Sequence, residues 1–326
     1  MDGRAKNQFD SGKPNDSSAK LKVMQKKTII TAGGKGIKVD GRFLRIARLD
    51  GEKHTFPDDP EVMIDGLRKS GARADIFTFL QKVSDTSPKY SYPMEYDNLA
   101  VLPISTFEHW WNHQIRSFPR NRARQAEKKG VTFREVPFGE ILIRGICGIY
   151  NETPVRQGKA FPHYGMSVEQ ARDYAGTFLD QSVYVGAFLG ETMIGFMKLV
   201  MDENRNQACM VHILSMIQHN DKAPTNALIA QAVRYCAEHK IPYLVYEHFV
   251  YGNKQGDSLS HFKEVNGFQR VDLPRYYVPI TILGRVALRL GLHHRLADRV
   301  PESVAAKFRE MRKAWYRREV EPVTES

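Results

Sequence analysis

A mixed α/β fold, with a central sheet flanked by helices, is what the order of patterns along this chain predicts. Three observations carry that prediction. Residues 182–188, 193–202 and 207–217 are successive apolar, strand-like segments, the first two separated only by Leu189-Gly190-Glu191, which reads as a hairpin. A helical pattern over 225–239 followed by a strand-like 242–250 then makes a β-α-β crossover, the connection that parallel strands require. A final helix at 257–265 ends in Asn266-Gly267-Phe268, where glycine supplies a helix stop.

The remaining elements follow in chain order. Residues 1–27 are rich in Lys, Ser, Asp and Asn and poor in aromatics, which predicts a disordered basic tail, with structure beginning near Thr28. Gly33-Gly34-Lys35-Gly36 does not meet the phosphate-loop spacing, and Val39-Asp40-Gly41-Arg42 with Phe43 to Ala47 reads as a hairpin. Apolar residues at Val62, Ile64 and Leu67, then Ile76, Phe77, Phe79 and Leu80, split by Gly71, predict two short helices within 58–82. A Pro- and Tyr-bearing link, 87–93, leads into Leu99 to Pro103 and a helix through Trp110, Trp111 and Ile115.

A basic helix over 120–129 sets Arg120 and Arg124 one turn apart and precedes a strand at 131–136 and a helix at 139–150. Residues 151–165 are too polar and proline-broken for either and form a long loop. After the core, Pro274 to Ile280 is a last strand, and Leu283 to Leu296 is an amphipathic basic run that either packs on the protein or lies on an anionic membrane. The expected divisions are a tail at 1–27, an abbreviated α/β region at 28–130, a core at 131–282 and basic helices at 283–326.

With 326 residues, 42% hydrophobic, the chain has enough apolar content for a sizeable core, and no run approaches the roughly 18 apolar residues of a membrane span. The polar N-terminus lacks an apolar signal core, which predicts a cytoplasmic protein, with the inner membrane face as a working place. Cys147, Cys209 and Cys236 lack C-x-x-C spacing and read as small buried hydrophobes, so neither a disulfide framework nor a metal site is expected. The net charge of +11 implies an acidic partner. The aromatics do not interleave with the basic runs as stacking platforms would, so RNA ranks below an anionic small molecule or a lipid-linked substrate.

Within the 151–165 loop, Arg156, Gln157, Lys159, His163 and Tyr164 combine forked donors, a cation, an imidazole and a phenol, a set suited to an anionic or sugar-like ligand. Arg120 and Arg124 join them as candidate substrate-binding residues. On the strand after the crossover, period-two alternation puts Tyr246 and His248 on one face and Glu247 on the other. His212 reads as a satisfied interior histidine.

This order of elements over roughly 130–280 resembles the GNAT superfamily of acyl-CoA-dependent transferases. In that superfamily a Gln/Arg-x-x-Gly-x-Gly/Ala loop before the crossover helix holds the cofactor pyrophosphate on backbone N–H groups. Here the loop reads His219 to Asn226, with Pro224 supplying no N–H. Lys222, Thr225 and Asn226 are left as the anion-holding candidates, with acyl-CoA (acetyl-CoA) the cofactor that the resemblance implies and aminoacyl-tRNA or a carrier protein the alternative donors.

Phe262-Lys263-Glu264-Val265-Asn266-Gly267-Phe268 is similar to the F-K-x-x-x-G-F element of the Fem-type branch, which attaches aminoacyl groups to cell-wall precursors. Phe107 to Trp111 with its basic continuation is similar to the arginine-rich helix of that branch. The resemblance implies a GNAT-like acyltransferase acting on an amine of a sugar or cell-envelope precursor, as in polysaccharide biosynthesis. His248 or Glu247 would then be the base, Tyr246 or Tyr251 the proton donor, and Lys263 the cation that stabilises charge at the carbonyl. The other reading is a catalytically inactive GNAT-like module that binds nucleotide-sugar, lipid or RNA.

Overall fold

A computed structural model describes residues 29–251 and 258–294. The tail at 1–27 and the part of the basic C-terminal stretch beyond 294 lie outside the described residues. The strands are β1 (Ile29–Ala32), β2 (Lys35–Asp40), β3 (Ile46–Leu49), β4 (Ile76–Leu80), β5 (Met94–Pro103), β6 (Val131–Glu135), β7 (Val155–Arg156), β8 (Lys159–Ala160), β9 (Ser182–Leu189), β10 (Thr192–Met201), β11 (Gln207–Ser215), β12 (Tyr243–His248) and β13 (Gln269–Pro279). The helices are α1 (Pro60–Lys69), α2 (Phe107–His109), α3 (Ser117–Lys128), α4 (Glu140–Tyr150), α5 (Val168–Ala175), α6 (Pro224–Glu238), α7 (Ser258–Val265) and α8 (Ile282–Arg289).

All strands except the small β7–β8 hairpin join one mixed sheet in the order β1-β2-β3-β4-β13-β5-β12-β11-β10-β9-β6. β5, from the N-terminal region, lies between β12 and β13, so the two regions share a continuous sheet. One face packs α3 and α6 over a core that includes Trp110, Leu102, Leu199, Leu228 and Val233. The other face carries α4 and α5 over Tyr150, Phe188 and Phe196, and beside them Leu99, Val101, Cys209 and Val245.

One predicted helix is a strand. The all-buried run Ile76-Phe77-Thr78-Phe79-Leu80 is β4, covered on both faces, and a strand buried on both sides shows no period-two alternation by which to tell it from a helix. The segment through Trp110 and Trp111 is a single α-turn passing into a π-turn at 110–114. The 151–165 loop contains β7 and β8, closed by Gln157 and Gly158, both at positive φ.

The Asn266-Gly267-Phe268 stop works as glycine chemistry demands. Gly267 takes φ +92° and a Cβ there would meet Gln114 at 3.2 Å, while Phe268 N donates to Lys263 O. This turn docks on the tryptophan helix: Trp110 Nε1 donates to Asn266 O at 2.9 Å.

Candidate functional site

β11 and β12 are parallel neighbours for only three pairs, Gln207–Tyr243, Ala208–Leu244 and Cys209–Val245. β11 then runs on to Ser215 and β12 to His248 without pairing to each other, so the sheet opens between them. The candidate site is the set of side chains on the strand ends around this opening.

A β-bulge decides which way they point. Against β5, Val245 pairs with Val101 but His248 pairs with Leu99, so Tyr246 and Glu247 together oppose one residue, and Glu247 takes φ +47°. The extra residue breaks the expected alternation. His248 shares the face of Val245 and Leu99, and Tyr246 lies on the opposite one, packed on Phe268 with ring centroids 5.8 Å apart. Lys263 is fully buried on that same far side, its Nζ 5.2 Å from the Tyr246 ring and 4.6 Å from the Tyr251 ring, donating to the carbonyl of His248. The four expected catalytic residues are therefore split across the sheet, with His248 and Glu247 on one side and Tyr246 and Lys263 on the other.

His248 Nδ1 lies 3.0 Å from Asp97 Oδ1 and 3.2 Å from the Asn98 carbonyl. Both neighbours only accept, so Nδ1–H is the donor to them. Arg275 holds Asp97 in turn, through Nε at 3.0 Å and Nη2 at 2.8 Å, and is itself gripped by Glu52 at 2.8 and 3.3 Å. Burial alone would raise the Asp97 carboxyl, but the His248 hydrogen bond and the Arg275 guanidinium outweigh it and hold Asp97 far below the usual carboxylate range. Glu52, Asp97 and Arg275 escape sequence reading because they lie on β5, β13 and a loop, up to 223 residues apart. Glu247 pairs with Lys53 of that loop, and its charge joins burial in raising the Tyr174 phenol.

On the same face, β10 and β11 place Lys198 opposite His212. His212 lies 3.3 Å from the Tyr150 hydroxyl, and His163 stacks on Tyr150 at 4.6 Å. Burial first, then His163 and Lys198, push His212 down to about 3, so it is an interior neutral histidine as expected. Burial also lowers His163 and brings the buried Lys198 ammonium to about 8.

The other predicted binding residues are engaged elsewhere. Arg156 donates to Ser215 O, Ile149 O and Glu152, and stacks over Phe161, so it braces the 151–165 loop; Gln157 is exposed at the β7–β8 turn, and Tyr164 is exposed. Arg120 donates to Trp111 O and lines a polar cleft of about 610 Å³ with His113, Arg116 and Glu264. Arg124 lies over the Trp111 ring at 5.3 Å. Among the described residues, Glu95, His293 and His294 are the one group of three able to hold a metal ion, at 3.0 and 3.2 Å between nitrogen and oxygen.

The start of α6 is closed by the protein's own groups. Ala223 takes φ +53°, Pro224 has no N–H, and the Thr225 hydroxyl is 2.8 Å from that of Ser215. The Glu152 carboxylate accepts from Ile217 N at 2.8 Å and Gln218 N at 2.9 Å, the backbone donors that open the short turn at 217–222 before α6. Lys222 pairs with Asp221, and Arg122, Gln125 and Lys129 of α3 tie down the carbonyls of Asn220 and Asp221. Asn226 is half-buried in the first turn. Lys222 and Thr225, two of the three expected anion-holding residues, are thus engaged with Asp221 and Ser215.

No family model matches the sequence, and no curated protein matches it. Solved structures do. The C-terminal domain of a candidate lysylphosphatidylglycerol synthetase from Agrobacterium fabrum aligns at TM-score 0.52 and 15% identity, over 81% of this chain and 86% of that one. L-PGS from Bacillus licheniformis aligns at TM-score 0.54 and 13% identity, over 80% and 87%. FemX aligns at TM-score 0.48 and 9% identity, over 74% and 83%. At such identities the likeness is one of fold, and the fold of this chain is the GNAT-like one that its sequence resemblance implied.

Proposed function

We propose that this protein transfers an aminoacyl group from an aminoacyl ester donor to an amine of a cell-envelope precursor, with His248 as the base. The observation that carries the reading is the Glu52–Arg275–Asp97–His248 chain, which holds Nδ1 of His248 and leaves its Nε2 without a partner among the described residues where β11 and β12 part. The acceptor amine, as its neutral form, attacks the ester carbonyl and forms a C–N bond. His248 Nε2 takes the proton the amine loses, the carbonyl oxygen carries the charge of the tetrahedral intermediate, and the C–O bond breaks as the proton passes to the leaving hydroxyl. Asp97 stabilises the imidazolium between the two transfers.

An aminoacyl ester is favoured over acyl-CoA because α6 begins with Pro224, which has no N–H, and Lys222 beside it is paired with Asp221, so the helix start offers a pyrophosphate few donors. The name of the Agrobacterium fabrum protein, a lysylphosphatidylglycerol synthetase, supports lysyl as the first aminoacyl group to try. The test supplies radiolabelled aminoacyl-tRNAs with amine-bearing envelope precursors, and follows label into the acceptor and titration of acetyl-CoA by calorimetry. Label transfer that His248→Gln abolishes, with no heat from acetyl-CoA, is expected. Acetyl-CoA binding tighter than about 100 μM would overturn the donor, and absence of transfer across the panel would leave a binding module.

A further inference from the structure

α8 turns an apolar face to solvent. Its inward side is Gly284 and Ala287, and Gly284 sits so close to the sheet that a Cβ there would fall 1.9 Å from the Asp75 carbonyl oxygen. At 100° per residue Ile282 and Val286 fall on the outward side, with Leu283 and the C-cap Leu290 continuing the strip along the flank next to Ala287; they are 79%, 45%, 51% and 63% exposed. Arg285 and Arg289, one turn apart and both exposed, run along one flank of that strip.

A second exposed apolar group stands beside it. Phe43, 86% exposed, lies in the loop between β2 and β3 with the Arg42 guanidinium 5.7 Å from its ring. Both elements hang from Asp75: its Oδ2 accepts from Arg45 N at 2.9 Å, and its Oδ1 accepts at 2.8 Å from the hydroxyl of Thr281, the N-cap of α8. One carboxylate thus holds the Phe43 loop and α8 together.

We infer that α8 and the Phe43 loop form a docking surface for an anionic lipid bilayer. Large apolar side chains beside arginines match the layering of a bilayer interface, where hydrocarbon lies just beneath phosphates. Ile282, Leu283, Val286, Leu290 and Phe43 enter the boundary of head groups and acyl chains, and Arg42, Arg285 and Arg289 meet the phosphates. The chain's charge of +11 complements a negative leaflet. Docking requires no turnover, so its failure would leave the transfer chemistry standing, and the reverse holds too.

The test is co-sedimentation of the full chain with vesicles of phosphatidylcholine, alone or mixed with phosphatidylglycerol. Binding is expected only to the mixed vesicles, weakening as salt is raised. Val286→Asp with Leu290→Asp should cut partitioning about tenfold or more. Arg285→Gln and Arg289→Gln should each cut it about fivefold, and Phe43→Ser, far away in sequence, about threefold or more. The thermal midpoints should stay near wild type, since these side chains face solvent.

Equal binding by the wild type and the double Asp variant would overturn the inference, as would no binding to mixed vesicles. A double Asp variant whose midpoint falls by several degrees without vesicles would show that residues 295–326 cover the face instead. One that dissociates a dimer in sedimentation velocity would assign the face to a second copy of the chain.

Discussion

Two places in this fold are shaped to receive charge, the start of α6 and the end of β12, and they treat it in opposite ways. Before α6 the backbone N–H groups of Ile217 and Gln218 are satisfied internally by Glu152, and α3 and Arg156 brace the surrounding loops. At β12 the charged groups form an ordered line that ends on an imidazole with one nitrogen uncommitted. The same resource, a fixed dipole or charge near an open strand end, serves stability in one place and, on the proposed function, would supply reactivity in the other.

The sharpest way to break this contrast is at His248. His248→Gln keeps volume and polarity but loses the base, so the transfer rate should fall about 10²- to 10⁴-fold while circular dichroism and the melting curve stay unchanged. Asp97→Asn should cost a comparable factor by letting the imidazole take the wrong tautomer. A rate within twofold of wild type in both variants would place the chemistry elsewhere.

Next in size is Glu152→Gln. The amide oxygen can serve the donors at one of the two carboxylate positions but turns an N–H₂ toward those at the other, and it leaves Arg156 without its charged partner, so urea melts should show a loss of about 2–3 kcal/mol. Transfer activity should survive at permissive temperature. If the variant instead gained affinity for acetyl-CoA in calorimetry, the α6 start would be a cofactor site held shut by one carboxylate.

A smaller effect concerns His212. Its folded value of about 3 is below the ordinary 6.5, so its contribution is fully present above pH 6.5 and is lost as pH falls through about 3. His212→Phe should therefore flatten the acid limb of the stability curve between those values, by on the order of 2 kcal/mol. Chemical denaturation at a series of pH values measures it. An unchanged limb would mean that another buried histidine, such as His54 at about 4, dominates acid unfolding.

The smallest effect is Ala223→Gly. Alanine at φ +53° meets its own Cβ where glycine would not, so the exchange should raise stability by about 0.5–1 kcal/mol in urea melts. A loss would mean that the Ala223 methyl, buried at 5% exposure, contributes more by packing than it costs in strain.

The core from 182 to 268 was legible in the sequence because each strand there is bounded by a turn and the helix carries its own period, so local pattern and tertiary role agree. β4 was not, since a run apolar in all but one position has no period to read. His248 and Glu247 were visible as polar residues at a strand end, but the bulge that aims them depends on pairing with β5, about 150 residues away. Asp97, Arg275, Glu52 and Glu152 act only through partners that the fold brings to them, and nothing in their neighbourhoods marks them. The basic residues of α3 drew notice as an anion cradle, yet Arg122 and Lys129 bond carbonyls of the α6 loop and Arg124 covers Trp111, because a long cation satisfies whatever acceptor packing supplies.

The position of β5 between β12 and β13 also sets the timing of folding on the ribosome. Leu99, Val101 and Leu102 are almost wholly buried, but the two strands that flank them begin at Tyr243 and Gln269. At 5–20 residues per second, β5 emerges roughly 7–28 seconds before β12, the first of them, exists to pair with it. For that interval an apolar strand with both edges bare is present on the nascent chain, which makes this segment the part of the molecule most dependent on a holding chaperone and most exposed to aggregation during synthesis.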